Sequence, residues 1–226
     1  MARKFFKKMQ NMENGVFAGV GKYNIPTLQG TKLEEFNSNT HWIDFHQTTK
    51  ARQNRKAYSV HFFVDDYQFE RCWSALSTYT KLLEQFNYVC TPDFSLYIDM
   101  PKAIQIYNHY RKHYLGAYWQ SKGIKVLPTI AWSDKSSYDF CFDGEPKNSV
   151  VVTSTVGILS SDTSKRLFLD GYREMKERLN PSLVICYGRI PDGLLGDDRV
   201  INIPAFYEQT AKRCKMHDAV KKAFKS

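Results

Sequence analysis

Four aspartates stand where apolar runs end. "YSVHFFVDD" (58–66) closes on Asp65 and Asp66, "NYVCTPDFS" (87–95) carries Asp93 and Ser95, and "IKVLPTIAWSD" (124–134) ends on Trp132, Ser133 and Asp134. Carboxylates that converge at one rim can hold a divalent cation or exchange protons with a bound molecule. The competing reading is that each aspartate caps the helix that follows it. Asp99, just ahead of Pro101, fits the capping role best. Asp65, Asp66, Asp93 and Asp134 are therefore the candidate catalytic set, with Ser95, Gln105, Asn108 and Trp132 as candidate substrate contacts. Gln105 and Asn108 lie three residues apart on a helix opened by Pro101, so they share a face near the same rim. The cofactor is open; a divalent cation is the one such a rim would take.

Other motifs carry less. His109 and His113 are spaced to put two imidazoles on one side of a helix, but no H-E-x-x-H glutamate is present and no third ligand is evident. They read as a surface pair, and no metal site is assigned. "GVFAGVG" (15–21) does not match G-x-G-x-x-G, and there is no P-loop and no G-x-S-x-G elbow. "SSDTSKR" (160–166) has the hydroxyls and cations of a phosphate loop, and ordinary N-capping explains it as well. Five widely spaced cysteines without a C-x-x-C pair argue against a disulfide framework and a zinc ribbon.

The elements that must position these residues follow from periodicity. From about residue 58, apolar β-branched runs alternate with helical stretches: 67–86, 101–123, 134–144, 163–180 and a last helix from 205. The strand runs are continuous rather than alternating in polarity, as expected when helices cover both faces of a parallel sheet. The predicted fold is α/β, a parallel sheet of about six strands with flanking helices, open or incomplete (β/α)-barrel-like, with an N-terminal extension. The division is a basic N-terminal extension (1–57), an α/β core (58–211) and a basic C-terminal helix (212–226). Residues 1–56 look too polar and loop-like to supply further strands. In such a sheet, ligands gather at the carboxyl ends of the strands, where the aspartates stand.

The net charge of +9 is concentrated at the ends. Residues 1–56 hold ten Lys and Arg against four acids, and residues 212–226 hold six against one, while the stretch between is slightly acidic. Basic ends attract polyanions, so Lys4, Lys7, Lys8, Arg52, Arg55, Lys56, Lys212, Arg213 and Lys215 are candidate nucleic-acid contacts, with DNA or RNA as partner. They serve equally as solubilising tails. The charged start has no apolar stretch behind it and no run approaches a membrane span, so the expectation is a cytoplasmic chain with no membrane partner.

With these residues laid out, the chain resembles the bacterial and phage family catalogued as domain of unknown function 4417. The resemblance rests on "HFFVDDYQFERCW", "PDFSLYIDMPKAIQIYNHYR", "GAYWQSKGIKVLPTIAWSD", "YDFCFDGEPKNSVVVTSTVG" and "LVICYG", in order over residues 10–190. It implies a mobile-element setting and brings no activity and no catalytic residues. Three readings follow. The first is a phage-type protein binding nucleic acid through basic ends, with a small acidic, aromatic-lined site at the strand rim. The second is a metal-assisted or acid–base enzyme acting on a phosphorylated or nucleotide substrate. The third is a non-catalytic module that binds a host protein through its aromatic surface.

Overall fold

The computed structural model describes residues 7–205 and residue 208. The β-branched runs form strands at the expected places: β4 (Tyr58–His61), β5 (Val89–Cys90), β6 (Val126–Leu127), β7 (Val150–Ser154), β8 (Leu183–Tyr187) and β9 (Val200–Ile203). Ahead of them lie a short antiparallel pair, β1 (Gly19–Val20) with β2 (Ile25–Pro26), and a strand the sequence did not suggest, β3 (His41–Asp44). β3 pairs in parallel with β4 at the edge of the sheet. The stretch read as loop-like thus supplies an edge strand, along with the buried Ile25, Leu28 and Phe45.

Two parallel sheets result, β3-β4-β5-β6 and β7-β8-β9. A parallel bridge between Thr129 and Val152 joins them, with the Ile130 amide donating to the Val152 carbonyl at 2.7 Å. Spatial order follows chain order, as in a singly wound array, and among the described residues no pairing closes it into a barrel. The arms still meet through side chains: the His61 ring, from β4, lies 4.3 Å from the Tyr187 ring, from β8. The fold is therefore α/β with an open parallel arrangement, as expected.

The helices depart in part from the periodicity. The stretch 67–86 breaks into α1 (Asp66–Phe69), α2 (Arg71–Ser74) and α3 (Leu76–Leu83). α4 (Lys102–Ser121) and α5 (Asp162–Leu179) run as predicted. The stretch 134–144, read as helical, forms one 3-10 turn at Lys135–Ser137 and further turns. Its serines at 136 and 137 favour local bonds over a helix: Ser137 Oγ donates to the Asp134 carbonyl and accepts from the Ser133 amide. The predicted last helix lies outside the described residues apart from Ala205 and Glu208.

Continuous apolar strands are explained by burial on both faces. Along β7, Val150 and Val152 join a cluster with Val60, Phe62, Val89 and Ile185, whereas Val151 between them packs with Val184 against Phe168, Tyr172 and Met175 of α5.

Candidate functional site

At the carboxyl ends of β4 to β7 lies a cavity of about 800 Å³, a size that takes a small molecule. The loops after β4 and β5 bring Asp65, Asp66, Asp93 and Ser95 to its wall, the segment after β6 brings Trp132 and Ser133, and the end of β7 itself brings Thr153 and Ser154. Three of the four candidate aspartates thus share one cavity. Asp134 is not among its lining residues. Its carboxylate accepts from the Ser136 amide at 2.9 Å and the Ser136 hydroxyl at 2.5 Å, capping the 3-10 turn, and these bonds hold it below the ordinary carboxylate range.

The other carboxylates differ in surroundings. Asp65 stands exposed at the N-terminal boundary of α1 and makes no capping bond there. Asp66 accepts from the Ser95 amide at 3.1 Å and the Ser95 hydroxyl at 2.9 Å, tying α1 to the loop after β5. Asp93 is partly buried on the wall. Loss of water there raises its carboxyl from the usual value near 3.8 to about 7; the Lys112 ammonium opposes this and Asp66 adds to it. A carboxyl that titrates near neutrality is suited to proton transfer. Asp99 does not cap α4: Pro101 holds the cap position without a side-chain bond, and Asp99 lines the cavity instead.

Gln105 and Asn108 do share a face of α4, but they are buried and absent from the cavity wall. Gln105 donates to the carbonyls of Tyr97 and Met100, both at 3.0 Å, and accepts from Ser133 Oγ at 3.0 Å. Asn108 donates to the Ser95 carbonyl at 2.8 Å. Both hold the loop after β5 from beneath, so the structure makes them supports of the wall. Trp132 does line the cavity, beside Phe168 at 5.4 Å, with its indole N–H directed at the Leu167 carbonyl. It packs closely against Gly171 of α5, where a Cβ would come 2.1 Å from the indole nitrogen.

Behind the wall is a polar cluster that the sequence reading missed. His109 and His113 are buried, not a surface pair, and the third residue facing them is Glu145. His113 Nε2 lies 2.9 Å from Glu145 Oε1, and Lys112 Nζ donates to the same oxygen at 2.5 Å and to the Thr129 carbonyl at 2.8 Å. Burial works against the Glu145 charge, but Lys112 and His113 bring its carboxyl below the ordinary range. Burial, with Lys112 and His113 adding, keeps the His109 imidazole well below its usual value. One signal was readable: 109, 112 and 113 fall on a single face of α4, so a lysine sits on the same stripe as both histidines. Glu145, thirty-two residues from His113, gave none.

The basic residues divide. Lys7, Lys8 and Arg52 are exposed. Lys56 is occupied, donating to the Glu84 and Phe86 carbonyls at 3.0 and 2.9 Å beyond the end of α3, and Arg55 donates to the Ala51 carbonyl at 2.7 Å and to Gln85. Lys4, Lys212, Arg213 and Lys215 lie outside the described residues. The loop "SSDTSKR" is an N-cap, with Ser161 Oγ accepting from the Ser164 amide at 3.1 Å. No helix among the described residues is long and apolar enough to cross a membrane.

The pattern of the family described as "Domain of unknown function (DUF4417)" matches residues 17–204. The Gene 1 protein of Mycobacterium phage L5 is 40% identical over 174 residues, covering 77% of this chain and 75% of the phage protein. The Gene 1 protein of Mycobacterium phage D29 is 39% identical over 174 residues, covering 77% of this chain and 63% of that protein. No solved structure matches significantly.

Proposed function

The chain belongs to the DUF4417 family, and from that premise we propose that it is a phage-type acid–base enzyme acting on a small molecule in the rim cavity. The observation that carries this reading is Asp93, a half-buried carboxyl raised to about 7 on the wall of the rim cavity, next to the hydrogen-bonded Asp66. Two carboxyls in unlike environments can divide the acid and base roles. The substrate reading narrows accordingly. Asp65, Asp66, Asp93 and Asp99 line the cavity, and among the described residues no lysine, arginine or histidine does. Such a wall repels phosphate, so the phosphorylated substrate expected from sequence gives way to a neutral or cationic molecule. Phe63, Trp132 and Phe168 offer flat apolar surface, so a planar ring suits it.

The test uses unphosphorylated nucleosides as probes against the matching monophosphates, read by thermal shift and by carboxyl titration of Asp93. The reading expects stabilisation by the uncharged compounds alone, lost in Asp93→Asn, and titration of Asp93 near neutrality. Preference for the phosphorylated forms, or an Asp93 that titrates in the ordinary carboxylate range, overturns it.

A second reading rests on charge. The net +9 is carried mostly by the two ends of the sequence, whereas the cavity wall is acidic among the described residues, so polyanion binding would use a separate surface. DNA or RNA is the partner that this distribution favours over a host protein.

A further inference from the structure

The cluster behind the cavity wall has more donor atoms than its protein partners use. The geometry points to a site for a divalent transition metal, of the class that zinc exemplifies, held by His109, His113 and Glu145. Each offers one ligand atom, these atoms lie within 4.8 Å of one another, and all three residues are buried.

The imidazole orientations support this independently. His109 Nε2 lies 3.0 Å from the Asp143 carbonyl and His113 Nδ1 lies 2.8 Å from the Pro26 carbonyl. A carbonyl only accepts, so each of these nitrogens carries the proton, and the other nitrogen of each ring presents a lone pair. Metal-bound histidines show this outer arrangement, with the second N–H given to a carbonyl that fixes the tautomer. Gly144 helps to build it. Its φ is +76°, and a Cβ there would lie 2.5 Å from the Pro26 carbonyl oxygen and 2.8 Å from His113 Nδ1, so only glycine lets the chain close over that bond.

Two buried atoms of the cluster, His109 Nδ1 and Glu145 Oε2, have no hydrogen-bond partner among the described residues. Buried polar atoms are nearly always satisfied, and both of these are the acceptor type that a cation satisfies. His113 Nε2 raises the same demand: with its proton on Nδ1, it faces Glu145 Oε1 acceptor to acceptor, which requires a proton or a cation nearby. Lys112 satisfies Oε1 and is anchored by the Thr129 carbonyl, which leaves Oε2 for the metal. Two imidazoles and a carboxylate suit zinc, cobalt(II) and iron(II), and elemental analysis separates them.

The experiment uses the full, tag-free chain. Purified from medium supplemented with zinc, it should retain about one equivalent of metal through gel filtration. After chelation, Co2+ alone should restore about one equivalent with visible absorption bands, and the melting temperature should fall on chelation and recover with Zn2+. His109→Gln and Glu145→Gln should each weaken Co2+ binding by about 10–100-fold or more, whereas His41→Gln, on the exposed edge of β3, should leave it unchanged. If a variant does not fold, the Co2+ spectrum of the parent decides. A folded parent that carries no metal and shows neither Co2+ bands nor a Zn2+ shift overturns the proposal and leaves Lys112 as the cation of the cluster. Retention of full affinity by both ligand variants overturns it as well.

Discussion

Ser95 is held to Asp66 at two points, its amide 3.1 Å from one carboxylate oxygen and its hydroxyl 2.9 Å from the other. The bond pair fixes the loop after β5 to the start of α1, and that junction forms one side of the cavity. Charge-assisted bonds contribute about 1.5–3 kcal/mol each when one partner is lost. Asp66→Ala removes both bonds and is therefore expected to lower unfolding free energy by about 3 kcal/mol or more. Asn keeps an acceptor for the amide and can donate to the rotatable hydroxyl, so Asp66→Asn should cost less than about 1 kcal/mol. Urea unfolding of the two variants checks this; equal losses would show that the charge, not the bonding pattern, holds the loop.

Asp93 gives a pH dependence with a definite sign. Its carboxyl is raised from about 3.8 to about 7, so the folded state binds the extra proton between those values. Asp93 therefore costs no stability below pH 3.8. The cost grows as pH rises toward 7 and levels off above it, at about 1.4 kcal/mol per unit of displacement. Asn resembles the protonated form. Asp93→Asn should thus match the parent melting temperature near pH 4 and exceed it at pH 8. A variant that is less stable than the parent at pH 8 would identify Asp93 as an ionised structural carboxylate.

The buried pair behind the wall makes the opposite kind of prediction. Lys112 and Glu145 side chains are 4% and 0% exposed, so removing one leaves the other charge without compensation. In metal-free protein, Lys112→Met should cost about 3–5 kcal/mol. The double variant Lys112→Met, Glu145→Gln should recover much of that loss, because the uncompensated charge is gone. Additive losses in the cycle would mean that packing of the Lys112 stem, not its charge, stabilises the region.

What was readable in the sequence follows the range of the forces involved. β7 and β8 were legible because "VVVTS" and "LVICY" are buried on both faces, and burial leaves its mark residue by residue. α5 was legible from its amphipathic spacing and its Ser161 cap. β3 was not, because "HWID" is an edge strand whose neighbours leave it half exposed, so its composition stays polar. At the site, the alignment of Asp65, Asp66 and Asp93 followed from the strand-end rule. The burial of His109 and His113 depended on Glu145 and the Pro26 carbonyl, which only tertiary folding brings to them.

Trp132 owes its place in the cavity wall to Gly171. A methyl group there would sit 2.1–2.4 Å from three indole atoms, so Gly171→Ala has to displace the ring. Alanine gains about 1 kcal/mol in helix propensity over glycine, while overpacking costs about 1–3 kcal/mol. The expected balance is a modest net destabilisation, a changed tryptophan emission and weaker nucleoside stabilisation. A more stable Gly171→Ala with unchanged emission would show that the indole moves aside freely and does not shape the wall.

The basic residues separate by what their side chains already do. Lys56 satisfies two carbonyls beyond the end of α3, so Lys56→Ala should cost about 1 kcal/mol of stability and leave nucleic-acid affinity nearly unchanged. Lys7 and Lys8 are exposed, and neither ammonium makes a hydrogen bond or ion pair among the described residues that would compete with a phosphate. Replacing both with Ala should weaken binding to mixed-sequence DNA or RNA, and should reduce the slope of log affinity against log salt by about 2. The cause is counterion release: each ammonium that neutralises a phosphate frees condensed cations, and losing the ammonium loses that release. Binding isotherms across a salt series for the parent, the Lys7→Ala, Lys8→Ala double variant and Lys56→Ala check both halves. Identical slopes in parent and double variant would remove the N-terminal lysines from the nucleic-acid surface. A reduced slope in Lys56→Ala alone would move that surface to the end of α3.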